Sequence, residues 1–336
     1  MPADRRPTPQ PATVKLQRPA SMKSKPATTV PAERGGSPPA DKRPATMKSQ
    51  PALGLPSRRP VRAVRWLTRR WSLAAGLAVV LALCLAALGA GLLAAYPPDV
   101  QHMATTLAPP SGAHPLGTDE FGRDVLSRML FGARLTLLAS SASVLLAAVG
   151  GGALGLTTGY FGGVYDSLVG RMIDVLFSFP VLLLGIAIVA VLGPGEPSVV
   201  LAIAVASLPN FARVSRSAII AEREREYVVA ARAIGAPVPY IIVRTLLPNL
   251  LGPLIVLMSL GFAYAVLYEA SFSFLGLGAQ PPTPEWGVML SSARSYLFQA
   301  PWYAFFPGAA IFVLVFSLNL IGDGLRDLFD PRRHNR

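Results

Sequence analysis

The stretch "AEREREYVVAARAIGAPVPYIIVRTLLPNLLGP", residues 221 to 253, decides how the chain is arranged. It is too charged to cross a membrane, yet too regularly patterned for an irregular loop, and long apolar stretches lie on both sides of it. Glu222 to Ile234 reads as a helix whose acidic first turn suits the helix dipole. Val228, Ala231 and Gly235 fall along one face, with Ala230 beside them. The spacing predicts a stop at Gly235, a residue suited to a left-handed cap, with Pro237 blocking continuation. A second short amphipathic helix is expected from about Val238 to Leu247, ending at Pro248. Two short helices with a small-residue face suit a groove on another protein; the alternative is a pair of interfacial helices lying on lipid.

Working outward, six stretches are apolar and long enough to span a bilayer: Trp71 to Tyr96, Leu135 to Thr157, Leu168 to Leu192, Ser198 to Ile220, Leu251 to Phe272 and Trp302 to Ile321. The fold class expected is therefore all-α and polytopic, with six transmembrane helices. Charge decides its orientation. Arg213 to Arg244 holds six Arg, Arg65, Arg69 and Arg70 precede the first span, and Arg326, Arg332, Arg333 and Arg336 follow the last. By the positive-inside rule these all face the cytoplasm, as do both termini, while the loop at 276–301, with only Arg294, faces outward. "TRRWSL" at 68–73 has the look of a twin-arginine export signal, but such signals deliver soluble passengers and here further spans follow. Pro180 and Pro209 are expected to kink their spans, and "GGGALG" at 150–155 to let helices approach closely; no phosphate loop is read there, for no Lys follows and no strand precedes.

Of 336 residues, 52% are hydrophobic and 15% charged, which points away from an ordinary soluble domain. The net charge of +13 is concentrated in residues 1–70, which carry 16 Lys and Arg against Asp4, Glu33 and Asp41. With Trp66 as that segment's one aromatic and no folded module to stack bases, nucleic acid is not the expected partner; anionic membrane lipid is. Residues 1–62 read as a disordered, Pro/Ala-rich cytoplasmic tail, too poor in large apolar side chains to order itself. Its repeat, "RPASMKSKPA" from Arg18 and "RPATMKSQPA" from Arg43, lacks the apolar faces a solenoid stacks. The remaining organisation expected is 63–134 for the first span and an outer amphipathic segment, 135–325 for a five-span core with its cytoplasmic loop at 221–250, and 326–336 for a cytoplasmic tail. The single Cys84 excludes an intrachain disulfide.

The polar candidates concentrate in "HPLGTDEFGRDVLSRMLFGARLTL", residues 114–137. Asp119, Glu120 and Asp124, near His102 and His114, have no recognised metal-ligand spacing, so neither metal nor resident cofactor is expected. The local reading is that Thr118 or Asp119 caps an amphipathic helix lying on the outer membrane surface, with Asp124 paired to Arg128 at i, i+4. Arg171 and Asp174 are expected to pair locally, and Glu269, near the outer end of the fifth span, is the best-placed polar group for a pathway.

"YVVAARAIGA" followed by "TLLPN" resembles the EAA loop of permeases in ATP-binding-cassette importers: Ala230, Ala231, Gly235, Leu247 and Pro248 match its spacing, while Val229 stands where the pattern has Glu and Thr245 where it has Ile. With the 114–137 stretch, "GYFGGVYD" (159–166), "EASFSFLGLGAQPPTPEWG" (269–287) and "NLIGDGLRDLFDP" (319–331), residues 65–333 resemble the second permease subunit of dipeptide, oligopeptide and nickel importers. The resemblance implies a type I, MetI-like fold in a bacterial inner membrane and a heterodimeric pathway formed with a sister permease. It also implies two cytoplasmic ATP-binding subunits docked on the EAA loop and an extracytoplasmic solute-binding protein, which Asp119 or Asp124 would meet. No ATP-binding Gly-rich loop with Lys-Ser/Thr occurs in this chain, so hydrolysis falls to a partner and no catalytic residue is assigned. Peptide is the default substrate, a nickel complex or other small solute the alternative. The rival functions are a membrane enzyme using Asp119, Glu120 and Asp124, and a stand-alone channel.

Overall fold

The structure is a computed structural model that describes residues 59–329, with side chains from Trp71 onward. The segment 1–58, with its repeat and most of the expected tail, lies outside the described residues, as does 330–336. From Arg59, inside the expected tail, the chain is already helical.

The helices are α1 (Arg59–Leu88), α2 (Ala90–Leu93), α3 (Val125–Phe161), α4 (Gly163–Phe177), α5 (Val181–Leu192), α6 (Glu196–Glu222), α7 (Glu226–Ala233), α8 (Val238–Tyr240), α9 (Leu247–Phe274), α10 (Trp286–Ala293) and α11 (Pro301–Phe329). Among the described residues five helical stretches are long and apolar enough to cross a membrane, and α4 with α5 make a sixth candidate, bent by 95° at its break. The all-α, six-span expectation is met in this form. Proline accounts for the bend: Pro180 cannot donate to the ladder and pushes Phe179 off helical geometry, so α5 starts anew after it. Pro209, by contrast, lies inside an uninterrupted α6.

The largest departure is at α3. The surface helix expected around Val125 and the second span are one helix of 37 residues, roughly 55 Å at 1.5 Å per residue, far longer than a hydrocarbon core of about 30 Å. Nothing between Leu130 and Leu135 breaks a helix, so the cap at Asp124 starts the whole element. Gly162 and Gly163, at φ 65° and 63°, end it. Helix α1 stops where Arg134 reaches back to the carbonyls of Ala87 and Leu88, satisfying groups left open at its C-terminus. The expected end at Pro248 is also overturned. Residues 241–246 form a π-helical turn that feeds directly into α9, so Pro248 lies in the first turn of α9 without ending the helical run. The last helix runs to Phe329, past the expected boundary at 326.

Helices α3 and α6 form the most extensive pair in the bundle. Gly151, Gly155 and Gly159, four residues apart on one face of α3, lie against the α6 backbone. A Cβ at each would run into Leu208 and Phe211, Ala212 and Ser215, or Arg216 and Ile219. Around this seam one apolar core gathers Phe211, Ile219, Val228, Leu246 and Leu250. A second, between α1, α3, α9, α10 and α11, gathers Ala133, Val266, Trp286, Met289 and Leu314. Trp286 also donates from Nε1 to the Met129 carbonyl at 3.0 Å, tying α10 to α3. Trp286→Phe is expected to cost about 1 kcal/mol for that bond, lowering the detergent-extracted protein's melting temperature by a few degrees without changing its oligomeric elution.

Candidate functional site

The loop between α6 and α9 holds α7 between the ends of three long helices. Val228 is fully buried in the α3–α6–α9 core and Ala231 packs against it. The opposite side of α7 is open: Val229, Ala230 and Ala233 are exposed, and Ile234 at the tip is 85% exposed. The small-residue face is therefore divided, with Ala231 toward the bundle and Ala230 away from it. Gly235 caps the helix at φ 79°, with its N–H bonded to the Arg232 carbonyl at 3.0 Å and the Ala236 N–H to the Ala231 carbonyl at 3.1 Å, a Schellman closure. Leu247 packs on the core and Pro248 is exposed.

Polar contacts fix this helix to its neighbours. Tyr227 donates to Glu222 at the end of α6 and accepts from Asn249 of α9 at 2.9 Å. Burial, then the Glu222 carboxylate, pushes its phenol up to about 12, so it stays a donor at any physiological pH. The Arg232 guanidinium lies 5.2 Å from the Tyr160 ring centre, and Arg223 donates to the Gly159 carbonyl at 2.9 Å, both at the end of α3. Two further ion pairs were not legible as local spacing. Arg216 of α6 donates to Asp166 from Nε and from Nη2, the latter at 2.6 Å, and Asp174 pairs with Arg213 at 3.0 Å rather than with Arg171.

On the other side of the bundle the 114–137 carboxylates form a buried knot. Asp124 is the N-cap of α3, accepting from the Ser127 N–H at 2.8 Å, so neither Thr118 nor Asp119 has that role. Its partner is His114 at 3.0 Å, not Arg128. Asp119 accepts from the N–H groups of Phe121 and Arg123, each at 2.9 Å, pairs with Arg123 at 2.6 Å and lies 3.5 Å from Arg128. Arg123 also approaches Glu120 at 3.6 Å, and Arg128 donates to the Pro98 carbonyl at 3.0 Å. Asp119 and Asp124 are buried, and their oxygens are committed to holding this segment together. Ser127 and His114 both bond Asp124 rather than each other, which is not the nucleophile-to-base contact that acyl-transfer chemistry needs. Among the described residues no group of three His, Cys, Asp or Glu side chains could hold a metal ion.

Glu269 is fully buried inside the chain rather than facing a surface. It stands near Glu285, whose carboxylate caps α10 through the Gly287 and Val288 N–H groups at 2.8 and 2.9 Å and accepts from Thr136 at 3.3 Å. Burial raises the Glu285 carboxyl above the usual carboxylate range, against the pull of those two N–H donors. Sequence reading missed Glu285 because an acidic residue after Pro284 in a loop looks like any solvated turn.

Comparison with known proteins agrees with this architecture. Residues 151–335 match the family described as binding-protein-dependent transport system inner membrane component. The dipeptide transport system permease protein of Alkalihalophilus pseudofirmus is 44% identical over 257 residues, covering 76% of this chain and 84% of that protein. The di/tripeptide transport system permease protein of Pseudomonas aeruginosa is 45% identical over 266 residues, covering 77% and 88%. The glutathione transport system permease protein of Pectobacterium atrosepticum is 47% identical over 223 residues, covering 66% and 74%. Among solved structures, an inward-facing conformation of the MetNI methionine ABC transporter aligns with a TM-score of 0.48 at 20% identity, covering 60% of this chain and 97% of that one. Through the matched bundle and its relatives over most of their length, the chain belongs to the binding-protein-dependent inner membrane components of ABC importers, which are transport permeases and not enzymes.

Proposed function

We propose that this chain and a sister permease form the pathway for di- and oligopeptides through a bacterial inner membrane. Transport is driven by two cytoplasmic ATP-binding subunits, and substrate arrives on an extracytoplasmic solute-binding protein. Support for the substrate class comes from the relatives named for dipeptide, di/tripeptide and glutathione transport. Support for the coupling route comes from one observation above all: α7 is anchored by Val228 in the core yet presents Val229, Ala230, Ile234 and Gly235 to solvent. An apolar helix tip held on rigid supports suits a groove on an ATP-binding subunit. The ties through Tyr227, Arg232 and Arg223 would pass a push on that tip to α3, α6 and α9 together. Ala231, Leu247 and Pro248 serve this loop from the bundle side and the α9 entry. The arginine-rich 213–244 stretch supports a cytoplasmic loop and cytoplasmic termini through the positive-inside rule. The missing loop Glu, replaced by Val229, removes one polar contact to the ATP-binding subunit without removing the tip.

The test is Gly235→Leu in the co-expressed transporter. A Cβ there meets nothing within 4 Å, so the folded cost is the left-handed strain of about 1–2 kcal/mol, and protein level should hold. Co-purification of the ATP-binding subunits is expected to weaken about tenfold or more, because a branched side chain now sits at the tip. Undiminished co-purification would overturn the assignment of this surface.

A further inference from the structure

Three carboxyl groups from separate segments, the start of α6, the end of α9 and the cap of α10, lie within electrostatic reach of one another. They are Glu196 in the first turn of α6, Glu269 of α9 and Glu285. Gly287 sits directly on the α9 turn, where a Cβ would strike the Ala270 carbonyl and Ser273, and this close approach brings Glu285 beside Glu269. Glu196 acts on both through space. Glu285 is satisfied by the donors described above. Both oxygens of Glu269 and both of Glu196 are buried without a hydrogen-bond partner, and so is the Ser273 Oγ, which lies close to Glu269 and Glu285 without hydrogen-bond geometry to either. The contrast with the other inward-facing carboxylates is sharp. Asp119, Glu120, Asp124 and Asp166 each have an Arg or His partner, whereas no ion pair among the described residues includes Glu196, Glu269 or Glu285.

Five buried oxygens without partners in one place call for an occupant, since orphaned polar groups of this kind are rare in native proteins and each costs about 1–3 kcal/mol. In their ionised form the carboxylates only accept and carry negative charge, so an occupant that both satisfies and neutralises them is a cation with several donors. The side chains do not converge tightly enough for a metal ion. A primary ammonium suits such a set of acceptors, because its three N–H donors each take an oxygen about 2.7–2.9 Å from the nitrogen, in three directions. The substrates in the names of the relatives, dipeptides, tripeptides and glutathione, all carry such a group.

We propose that Glu196, Glu269 and Glu285, with Ser273, form an ammonium site that takes the amino terminus of the transported peptide. The site rests on the peptide reading above and is occluded in this conformation. Glu269 has no exposed surface, and the Gly195 N–H donates to the Leu277 carbonyl at 2.9 Å across the entrance segments. Entry therefore requires residues 193–196 to part from 276–285.

The intact transporter, with its sister permease and ATP-binding subunits, is titrated with L-alanyl-L-alanine and with N-acetyl-L-alanyl-L-alanine while its melting temperature is followed. The free peptide is expected to stabilise the complex and the acetylated one to leave it unchanged. Glu269→Gln and Glu196→Gln are each expected to weaken the apparent affinity for the free peptide about tenfold or more, with the unliganded melting temperature held or raised. Glu196 lies at a partly exposed helix start, so its variant tests the site even if Glu269→Gln does not fold. Equal stabilisation by both peptides, stabilisation by neither, or a response that survives in the folded variants overturns the proposal. So does loss of the permease pair in both variants, the result expected if a sister-subunit lysine fills the site. Neither ATP-binding subunit docking nor uptake is read here, so failure of this site and failure of the importer reading are separable.

Discussion

Gly155→Leu is expected to yield no folded protein: the monodisperse peak in fluorescence-detected size exclusion should collapse into aggregate. A Cβ at this position would overlap the Ala212 carbonyl, Ser215 Cβ and the Arg216 N–H, and two of those three atoms are backbone that no rotamer change can move aside. Accommodating a leucine means separating α3 from α6 along the most extensive helix pair in the molecule. The same separation would pull Phe211 and Ile219 from the core and break the Arg223 contact that ties the end of α6 to the end of α3. Gly170→Leu is the matched control, since a Cβ there meets nothing within 4 Å, and its elution should stay that of the parent protein. A normal peak for Gly155→Leu would show that α3 and α6 do not pack as described.

Asp119→Asn should have the second largest effect, and it separates structure from chemistry. Asn keeps an oxygen for the Phe121 and Arg123 N–H groups but removes the charge that balances Arg123 and Arg128, both buried. Leaving a buried charge without its partner costs about 3–5 kcal/mol, so folded protein should fall steeply and the surviving fraction should melt well below the parent. Uptake per folded transporter should remain, because Asp119 has no surface from which to meet a substrate. Glu120→Gln removes a looser contact, 3.6 Å from Arg123, and is expected to be mild in both measurements. Normal stability with lost uptake in Asp119→Asn would point instead to a direct role in transport.

Much of this architecture was legible because a membrane reduces the choices. Apolar length located the spans. Gly235 followed by Pro237 marked the end of α7 because only a left-handed cap fits there. What was not legible depends on distance through space. The partner of Asp124 changed because the loop folds back on the start of α3, bringing His114 to Asp124 and Asp119 to the Arg128 that spacing had paired with Asp124. Asp166 and Arg216, fifty residues apart, carry no shared pattern at all. The continuity of α8 into α9 depended on a π-turn, which leaves no compositional mark beside a proline that usually signals a stop. The division of α7, Ala231 inward and Ala230 outward, needed the neighbours to be known.

The most direct measurement of the central claim is peptide uptake by proteoliposomes holding this chain and its sister permease, with and without the ATP-binding subunits, ATP and the solute-binding protein. Accumulation of a labelled dipeptide against its gradient is expected only when all are present, and its rate should fall with Gly235→Leu. Passage of the dipeptide through the permease pair alone, without ATP, would contradict an importer subunit coupled through α7 and establish a channel in its place.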